Sequence, residues 1–400
     1  MVEWKSIGEI SSNVFAGGTP STKHEEYYDG DIPWIRSGEI DFNVITKAER
    51  NITTAGYKNS SAKLIRKGSV VMAMTGATVA KSAIVDFETT ANQSVCAIET
   101  VESIVNYKFV FYSLAKDYFK IRSSAQGALT SLNLAMIKQL QIPIPSLSEQ
   151  SRIVSILDTF TSSISNLKQQ IEERRKQYNF LLDKLYYANK SELLEATERG
   201  EVCVKTLDEI GTFTRGRRFV RTDIVEEGVP CIHYGDMYTY YGVFAEKTPT
   251  FLTKEKAEKL RFAKKGDVVI VAAGENDIDI GVGVAWLGEE DVVVHDACFI
   301  FKHNMNPKYL SYFMRSMNYH LQIRMGVVDG KICSISAKEL GRTLAPVPSL
   351  QAQSRIVSIL DTFEQSISNL EEQLAMREKQ YEYYRNQLLT FEGEEERGKT

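Results

Sequence analysis

Basic side chains concentrate on the glycine-rich turns of the sequence, where they could meet phosphate groups. In the second half of the chain, Arg215, Arg217, Arg218 and Arg221 crowd one turn. Further cations occupy a short stretch of the same half, and the first half offers a looser set: Lys254, Lys256, Lys259, Arg261, Lys264 and Lys265, then Arg36, Lys58, Lys63, Arg66, Lys67 and Lys81. Lysine and arginine bind phosphate oxygens, and arginine can address guanine edges. A charged run is more often only a solvated face, so both interpretations stay open.

Residues that could perform catalysis or bind metal do not show the spacing that such chemistry needs. The sequence contains neither a GxxxxGK[ST] phosphate loop nor a GxGxxG motif. The five histidines show no HExxH or paired spacing for a metal ion; they are His24, His233, His295, His303 and His320. His295 and Asp296 beside Cys298 could form a nucleophile cluster, although a turn before a buried strand is the more ordinary interpretation. A self-sufficient methyltransferase would need a cofactor loop that the sequence lacks.

The composition is that of an ordinary globular protein large enough for two domains. The chain has 400 residues, of which 43% are hydrophobic and 25% charged. No basic start with an apolar core and no long apolar run occurs, which argues against secretion and membrane spanning. Five cysteines without a CxxC pair favour a reduced, cytoplasmic chain without structural zinc. The net charge of −4 argues weakly against an extended phosphate-binding surface, so charge has to be assessed locally.

The elements that would position the basic turns occur twice. The ten residues SRIVSILDTF at 151–160 return at 354–363, a separation of 203 residues. A match of this length indicates an internal duplication, with a period far too long for a solenoid. A Lys-Gly-x-Val-Val segment also occurs in each half, at 67–71 and 265–269, and predicts a buried strand. Further strands are predicted at 93–98 and 296–301, and closing turns at 127–132 and 330–335.

Each copy of the ten-residue match opens a long helix with a heptad seam. Apolar residues recur at alternating steps of four and three, which predicts a left-handed coiled coil with a partner helix. A helix from about Leu147 to Tyr187 would be on the order of 60 Å long. The seam residues are Ile153, Leu157, Phe160, Ile164, Leu167 and Ile171 in the first helix and Ile356, Leu360, Phe363, Ile367, Leu370 and Leu374 in the second. Arg174 and Arg377 break both seams at the same place, either setting the register or lying exposed where the coil splays.

The two helices share the way they begin. A Pro-x-Pro segment precedes each helix. We expect this segment to be extended, because the residue before a proline is pushed out of helical geometry. Ser146 with Glu149 predicts a capping box, whereas Ala352 offers Ser349 no reciprocal acceptor. Antiparallel pairing of the two helices is the most economical way to bury both seams, and it would place the globular halves at opposite ends.

This organisation resembles the specificity subunit of Type I restriction-modification systems. The motifs that carry the resemblance are the two Pro-x-Pro segments with the helix starts behind them, Pro143-Ile144-Pro145 with Leu147, Glu149, Gln150 and Ile153, and Pro346-Val347-Pro348 with Leu350, Gln353 and Ile356. The Lys-Gly-x-Val-Val strands and the closing turns fit as well. The resemblance covers essentially the whole chain, and its one departure is Ala352 where the first copy has Glu149.

The resemblance implies an α+β fold with two similar target recognition domains, each followed by a long spacer helix, the helices pairing as an antiparallel coiled coil. The implied boundaries are 1–145 and 201–348 for the domains, and 146–190 and 349–392 for the helices. Each domain would read one part of a split double-stranded DNA sequence. The helices would dock modification subunits carrying S-adenosylmethionine, and restriction subunits using ATP and Mg²⁺ would join them. This chain itself would hold no catalytic residue, no metal and no cofactor.

The loops expected to touch DNA are the glycine turns of each half. The candidates are Gly17, Gly18, Thr19, Arg36, Ser37, Gly38, Thr75, Gly76, Thr78 and Lys81 in the first domain, and Arg215, Arg217, Arg218, His233, Tyr234, Gly274, Glu275 and Asn276 in the second. Two readers on one face of a duplex sit about one turn apart, ~34 Å, which a long helix pair can span. The alternative from another class is a coiled-coil scaffold whose two domains bind protein or glycan.

Overall fold

The computed structural model of the chain describes residues 2–125, 131–328 and 330–391. These residues form two compact units, one holding the chain up to Lys168 and again from Gln373, the other holding Gln169–Glu372. Each unit therefore contains one globular domain together with a segment of each long helix. Residues 127–130 of the first expected closing turn, and residue 392 at the expected end of the second helix segment, lie outside the described residues.

The described residues of the first domain form ten short strands and five short helices. The strands are β1 (Glu3–Ser6), β2 (Ser11–Ala16), β3 (Tyr28–Ile35), β4 (Val44–Ile45), β5 (Arg50–Ile52), β6 (Val70–Ala73), β7 (Ser82–Val85), β8 (Thr90–Ala91), β9 (Val95–Thr100) and β10 (Gln141–Ile144). The helices are α1 (Ile7–Ile10), α2 (Thr54–Lys58), α3 (Tyr107–Lys116), α4 (Tyr118–Ser123) and α5 (Leu134–Gln139), followed by the long helix α6 (Leu147–Tyr186). Short 3-10 turns at Glu25–Tyr27 and Ser37–Glu39 complete the domain.

The second domain follows a short helix, α7 (Lys190–Glu198). Its strands are β11 (Val204–Thr206), β12 (Gly211–Arg215), β13 (Ile224–Val225), β14 (Val229–Ile232), β15 (Phe244–Ala245), β16 (Thr250–Leu252), β17 (Phe262–Ala263), β18 (Val268–Val271), β19 (Ala273–Gly274), β20 (Gly283–Trp286), β21 (Val292–Val294), β22 (Cys298–His303), β23 (Cys333–Ser334) and β24 (Leu344–Pro346). Its helices are α8 (Leu207–Ile210), α9 (Asp236–Thr239), α10 (Lys254–Ala257), α11 (Pro307–Phe313), α12 (Met317–Ile323) and α13 (Ala337–Gly341), with 3-10 turns at Arg221–Asp223, Asp277–Asp279 and Arg324–Gly326. The long helix α14 (Leu350–Leu388) follows the second domain.

The main sheets of the two domains have the same topology, whereas the second sheet has three strands in the first domain (β5-β3-β8) and five in the second (β13-β16-β14-β21-β17). The main sheet has the order β2-β9-β6-β7-β4 in the first domain and β12-β22-β18-β20-β15 in the second, with corresponding strands in corresponding places. In both sheets the last strand runs parallel to its neighbour and the other pairs are antiparallel. The Lys-Gly-x-Val-Val segments lead into the central strands β6 and β18, which begin at the first valine of each segment and whose residues are all buried. The predicted duplication of an α+β domain is confirmed.

The long helices pair antiparallel within each unit. In the first unit the ring of Phe160 stacks on Tyr384, with 5.3 Å between the ring centroids, and Lys168 pairs with Glu378. Residue numbers thus increase along α6 in the direction in which they decrease along α14. Ile153, Leu157 and Ile171 are buried on α6, as Leu360 is on α14; the remaining seam residues, Phe160, Ile164, Leu167, Ile356, Phe363, Ile367, Leu370 and Leu374, are partly buried. The predicted coiled coil is confirmed. Among the described residues, no helix combines the length and apolarity that a membrane crossing requires.

Each domain is fastened to the start of its long helix by the same polar contacts. The Asn106 backbone N–H donates to the Gln150 side chain at 2.8 Å, and Asn306 donates to Gln353 at 2.9 Å. A second contact follows farther along each helix, where a lysine and a tyrosine of the domain meet one aspartate. These groups are Lys108, Tyr112 and Asp158 in the first unit and Lys308, Tyr312 and Asp361 in the second, at 2.5 Å for each lysine and 2.7 Å for each tyrosine.

The capping box expected at the start of α6 forms only in part. The Glu149 backbone N–H donates to the Ser146 hydroxyl at 3.2 Å, as predicted. The Glu149 carboxylate does not return to Ser146, because it accepts two hydrogen bonds from the Arg152 guanidinium at 2.7 and 2.8 Å. At the second helix Ser349 accepts from Ala352 at 3.3 Å, so both serines cap alike and Glu149 contributes an ion pair instead.

Candidate nucleic-acid interface

In the first domain, a turn between β8 and β9 joins the loops that the sequence singled out. This central turn comprises residues 92–94, and it receives backbone hydrogen bonds from segments far apart in sequence. The Gly18 N–H donates to Ala91 just before the turn, and the Met74 N–H donates to Ser94 within it. The Asn92 N–H donates in turn to the carbonyl of Ile35, next to Arg36. The loops after β2, β3 and β6 therefore end around one turn.

The second domain builds the same arrangement around residues 295–297, its own central turn between β21 and β22. The Arg217 N–H donates to Val294 at 3.1 Å, immediately before the turn. His295 donates from its backbone to Ile232, and the Ala272 N–H donates to Ala297. These contacts match those of the first domain strand for strand. Two domains with different loop residues thus share one scaffold for presenting them.

A glycine without room for a side chain anchors each arrangement. A Cβ on Gly17 would lie 2.3 Å from the Ala91 carbonyl oxygen, and one on Gly216 would lie 2.1 Å from that of His295. Because backbone atoms stand at these positions, neither contact can be relieved by turning a side chain. The glycine lets the strand approach the central turn closely. The next two residues of the second domain, Arg217 and Arg218, are exposed beside the turn, whereas Gly18 is buried and Thr19 partly buried in the first domain.

The cations of the first domain's candidate loops are held by carboxylates of the same domain. The Arg36 guanidinium pairs with Glu39 and Glu49, and the Lys81 ammonium lies 2.5 Å from Asp41. The Thr78 hydroxyl donates to the Ser37 carbonyl at 2.9 Å, which joins two of the loops directly. Gly76, with a φ of +81°, shapes the turn between β6 and β7. The Thr19 hydroxyl donates to the Gln93 side chain in the central turn, while Thr75 lies partly buried and Gly38 is exposed.

The second domain presents its arginines differently. Arg215, Arg217 and Arg218 are exposed, and within the described part of the chain none of them forms an ion pair with a carboxylate. Arg215 donates to the Asp296 carbonyl at 2.8 Å and lies over the ring of Phe299, while Arg217 donates to the Lys259 carbonyl at 2.8 Å. Carbonyl acceptors fix the direction of a guanidinium without pairing its charge, in contrast to the carboxylates that pair with Arg36 and Lys81.

Two partly buried histidines lie beside these arginines. His233 and His295 have ring centroids 5.0 Å apart, and Tyr234 and Phe219 pack against them. Burial lowers the pKa of both histidines, and the neighbouring charges of Arg221 and Arg218 lower it further, against the opposing effect of Asp236 and Asp296. Both rings are therefore neutral near pH 7.

The hydrogen bonds of these rings fix their tautomers. His295 Nδ1 accepts from the Ala297 N–H at 3.1 Å, and its Nε2 donates to the Phe219 carbonyl at 3.0 Å. His233 Nδ1 accepts from the Gly235 N–H at 3.3 Å, so its proton is on Nε2. Both ring nitrogens of His295 therefore form hydrogen bonds within the domain, whereas the Nε2–H of His233 can donate to a ligand.

The third candidate loop of the second domain begins where β19 pairs with β23. Gly274 lies opposite Cys333 in that pair and is buried, and a Cβ on Gly274 would meet the Tyr238 hydroxyl at 2.4 Å. Glu275 and Asn276 follow it and are exposed. The loop therefore leads away from the domain with its polar residues in solvent.

The nucleophile cluster considered for His295, Asp296 and Cys298 does not form. Cys298 is buried in β22, and that burial raises the pKa of its thiol to about 12, so it stays protonated at neutral pH. His295 is occupied by the central turn. No group of three or more histidine, cysteine, aspartate or glutamate side chains that could hold a metal ion is found among the residues that the structure describes.

Comparison with known protein families decides what this duplicated architecture is. A family model described as "Type I restriction modification DNA specificity domain" matches residues 1–174 and again residues 200–376. The chain belongs to this family. The two matched segments correspond to the two halves of the duplication, each a specificity domain with most of its long helix.

Individual relatives in the family agree with this assignment. The chain is 33% identical over 202 residues to a protein named Type I restriction enzyme EcoR124I/EcoR124II specificity subunit from Escherichia coli, an alignment covering 48% of this chain and 50% of that one. It is 25% identical over 413 residues to a putative type I restriction enzyme specificity subunit from Haemophilus influenzae, covering 98% of this chain and 96% of that one.

A solved structure of an S subunit from M. genitalium superposes with a TM-score of 0.59 at 18% identity, covering 98% of this chain and 96% of that one. At this identity the likeness concerns the fold.

The central turns of the two specificity domains escaped the sequence analysis as candidate interface residues. Asn92, Gln93 and Ser94 in the first domain, and Asp296 in the second, lie where the candidate loops meet. The signal was present, because polar residues of different type stand at equivalent places before two matching buried strands. The sequence predicted a plain turn here, with strands beginning at 93 and 296, whereas β9 and β22 begin at Val95 and Cys298. The contacts that make the turn central come from residues far away in sequence.

Proposed function

We propose that the chain is the DNA-reading subunit of a type I restriction-modification assembly, with domains at 1–145 and 201–348 and spacer helices at 146–190 and 349–392. The observation that carries this proposal is that equivalent loops converge on an equivalent turn in both domains while their side chains differ. Gly18 and Thr19 stand in one domain where Arg217 and Arg218 stand in the other. A common scaffold with different side chains suits two readers of two different half-sites.

The chemistry of the loops suits contact with double-stranded DNA. Exposed arginines bind phosphate oxygens or pair in bidentate fashion with guanine O6 and N7. The neutral ring of His233 offers its Nε2–H to an acceptor at a base edge. Lys81 and Arg36 in the first domain, already paired with carboxylates, would act by orienting those carboxylates and the polar residues Ser37 and Thr78 around them.

The proposal assigns the covalent chemistry to partner subunits. Modification subunits would bind S-adenosylmethionine and methylate adenine, and restriction subunits would use ATP and Mg²⁺, with this non-catalytic chain in the cytoplasm. The paired long helices would dock these partners and set the gap between the half-sites. A scaffold binding protein or glycan would also need a helix pair, but membership of a DNA specificity family favours the DNA-reading role.

A genome-wide map of methylated adenine tests the proposal. We expect a split motif in a host that carries this chain with its modification partner, and no such motif in a host lacking only this chain. A matched host with the Arg217→Ala/Arg218→Ala variant should keep one half of the motif and lose or relax the other. A methylation pattern that is the same with and without the chain would overturn the proposal.

A further inference from the structure

The two long helices are nearly identical where they begin, and they carry opposite charges at two later positions. Between residues 151 and 178 and their counterparts 354 and 381, the sign of the charge is reversed twice and nowhere else. Lys168 corresponds to Glu371, and Arg175 corresponds to Glu378. The first helix is therefore basic at both positions and the second is acidic at both.

These four residues pair with one another across the coiled coil. Lys168 Nζ lies 3.0 Å from Glu378 Oε1 in the first unit, and Arg175 Nη2 lies 2.5 Å from Glu371 Oε1 in the second. Each bridge thus joins a residue of one reversed position to a residue of the other. The exchange follows from antiparallel pairing of duplicated helices, because the residue opposite Lys168 is Glu378, which is the counterpart of Arg175.

The apolar seam cannot by itself tell one helix from the other. Its residues are the same in both copies at five of the six positions, and differ only where Ile171 corresponds to Leu374. Two first helices from separate chains could therefore bury the same seam in the same register. Such a pair would place Lys168 opposite Arg175 twice, and a pair of second helices would place Glu371 opposite Glu378 twice.

We propose that the reversed charges select the partner of each helix, so that a first helix pairs with a second helix and pairing between like helices of two chains is disfavoured. The consequence is that each coiled coil joins one first domain to one second domain. An assembly with two copies of the same domain, and hence two identical half-sites, is avoided by repulsion at these positions.

The expected strength follows from the exposure of the pairs, whose side chains are about half exposed. An exposed bridge of this kind contributes little, and replacing it by a like-charge contact shifts a pairing equilibrium by roughly fivefold. A pair of like helices contains two such contacts, which multiplies the discrimination to roughly 25-fold at low salt. Salt screens these contacts, so the discrimination decreases as ionic strength rises.

A single substitution in the full-length chain tests the proposal because it makes the first helix complementary to itself. Lys168→Glu leaves one carboxylate and the Arg175 guanidinium at the two reversed positions of that helix, so two first helices from separate chains gain two opposite-charge contacts. Within the chain, the same change sets two carboxylates against each other at Glu378. We expect Lys168→Glu to strengthen dimerisation at least about tenfold over the unmodified chain in sedimentation velocity at low salt, and high salt to abolish the gain.

The matched control is Lys168→Glu/Arg175→Glu, which breaks both bridges within the chain but leaves the first helix acidic at both reversed positions. This control is destabilised more than the single variant, yet we expect no gain in dimerisation. Adding Glu172→Cys to Lys168→Glu, with the exposed Cys203 changed to Ser, identifies the contact, because residue 172 lies near the midpoint between 168 and 175 and is therefore close to its own copy in a like-helix pair. A thiol cross-linker should then capture a dimer that is not captured when Lys168 is retained and only the cysteine is introduced at residue 172.

A double-mutant cycle supplies an independent measure of the same bridge. Lys168→Glu and Glu378→Lys should each lower the unfolding midpoint, and the double variant should recover most of the loss at low salt. Equal dimerisation of Lys168→Glu and its doubly acidic control, whether both strong or both absent, would overturn the proposal. So would additive effects in the cycle, since the bridge would then carry no coupling.

Discussion

The guanidinium of Arg377 on α14 lies over the ring of Phe160 on α6, 5.7 Å from its centroid. Its counterpart Arg174 lies over Phe363 at 5.5 Å, so the break in each seam packs on an aromatic residue of the opposite helix. The arginine does not mark a place where the coil splays, because it is partly buried by that ring. Of the two interpretations left open for these residues, the geometry favours a role in setting the register.

This packing predicts an energetic coupling that follows the observed partners. We expect Arg377→Ala and Phe160→Ala to couple by about 0.5–1 kcal/mol in the free energy of unfolding, the range for a cation over an aromatic ring at a partly exposed site. The matched control is Arg377→Ala with Phe363→Ala, because Arg377 does not face Phe363. Urea denaturation of the single and double variants measures both couplings. Equal coupling of Arg377 to Phe160 and to Phe363 would contradict the packing of Arg377 on Phe160.

The polar contacts that fasten each domain to its helix predict a specific sensitivity. Removing Asp158 leaves the Lys108 ammonium without its carboxylate, and it leaves the Tyr112 hydroxyl with only its longer contact to the Thr161 hydroxyl at 3.3 Å. We therefore expect Asp158→Ala to cost about 1 kcal/mol, a value reduced for the partial exposure of the ion pair. The hydrogen bond to Asp158 raises the pKa of Lys108 above its usual 10.5. This contribution is therefore present below pH 10.5 and is lost as the pH rises through the higher folded-state value.

Urea denaturation at about pH 7 and about pH 11 checks this expectation. The cost of Asp158→Ala should be smaller at the higher pH, where Lys108 has begun to lose its proton. Glu382→Ala, which changes an exposed residue on α14, serves as the control and should leave the free energy of unfolding unchanged at both pH values. An unchanged cost at the higher pH would mean that the ammonium contributes nothing.

The close approach at Gly216 predicts that alanine there damages the second domain. A methyl group would lie 2.1 Å from the His295 carbonyl oxygen and 2.4 Å from that of Val294, so strand β12 must shift away from the central turn. We expect Gly216→Ala to cost at least about 2 kcal/mol of unfolding free energy. Gly242→Ala is the matched control, because nothing lies within 4 Å of its added methyl, and it should change stability little.

A buried histidine predicts a loss of stability in mild acid that is confined to the second unit. Burial lowers the pKa of His303 from its usual 6.5 to about 4, so the unfolded chain binds this proton first as the pH falls. Stability is therefore present above pH 6.5 and declines between 6.5 and about 4, with a slope of at most about 1.4 kcal/mol per pH unit for one proton. His303→Gln should reduce that slope in urea denaturation, leaving the contributions of His233, His295 and His320, whose pKa values are also lowered by burial. His24→Gln in the first domain should not reduce it.

The sequence predicted the features that depend on local pattern. The seam residues, the long helices and the paired Lys-Gly-x-Val-Val strands all follow from periodicity that is visible within a few turns of chain. The meeting of Gly18, Ile35 and Met74 around residues 92–94 could not be predicted, since it results from hydrogen bonds between strands distant in sequence. The ion pair of Arg36 with Glu49 could not be predicted either. It distinguishes the candidate cations of the first domain, which are paired with carboxylates, from the candidate arginines of the second domain, which, among the residues that the structure describes, are not.

That difference predicts unequal electrostatic contributions from the two domains. In the complex assembled with the modification partner, Arg217→Ala should weaken DNA binding and reduce the slope of log K against log salt by about 1, because a guanidinium without a carboxylate partner can neutralise a phosphate. Arg36→Ala should change that slope much less, since Glu39 and Glu49 already balance its charge. Arg342→Ala removes an exposed arginine that lies outside the candidate loops and is paired with Glu339, so it controls for the loss of a paired surface charge such as that of Arg36. The assembled mass should be unchanged in all three variants, and unchanged DNA affinity in Arg217→Ala would remove its turn from the interface.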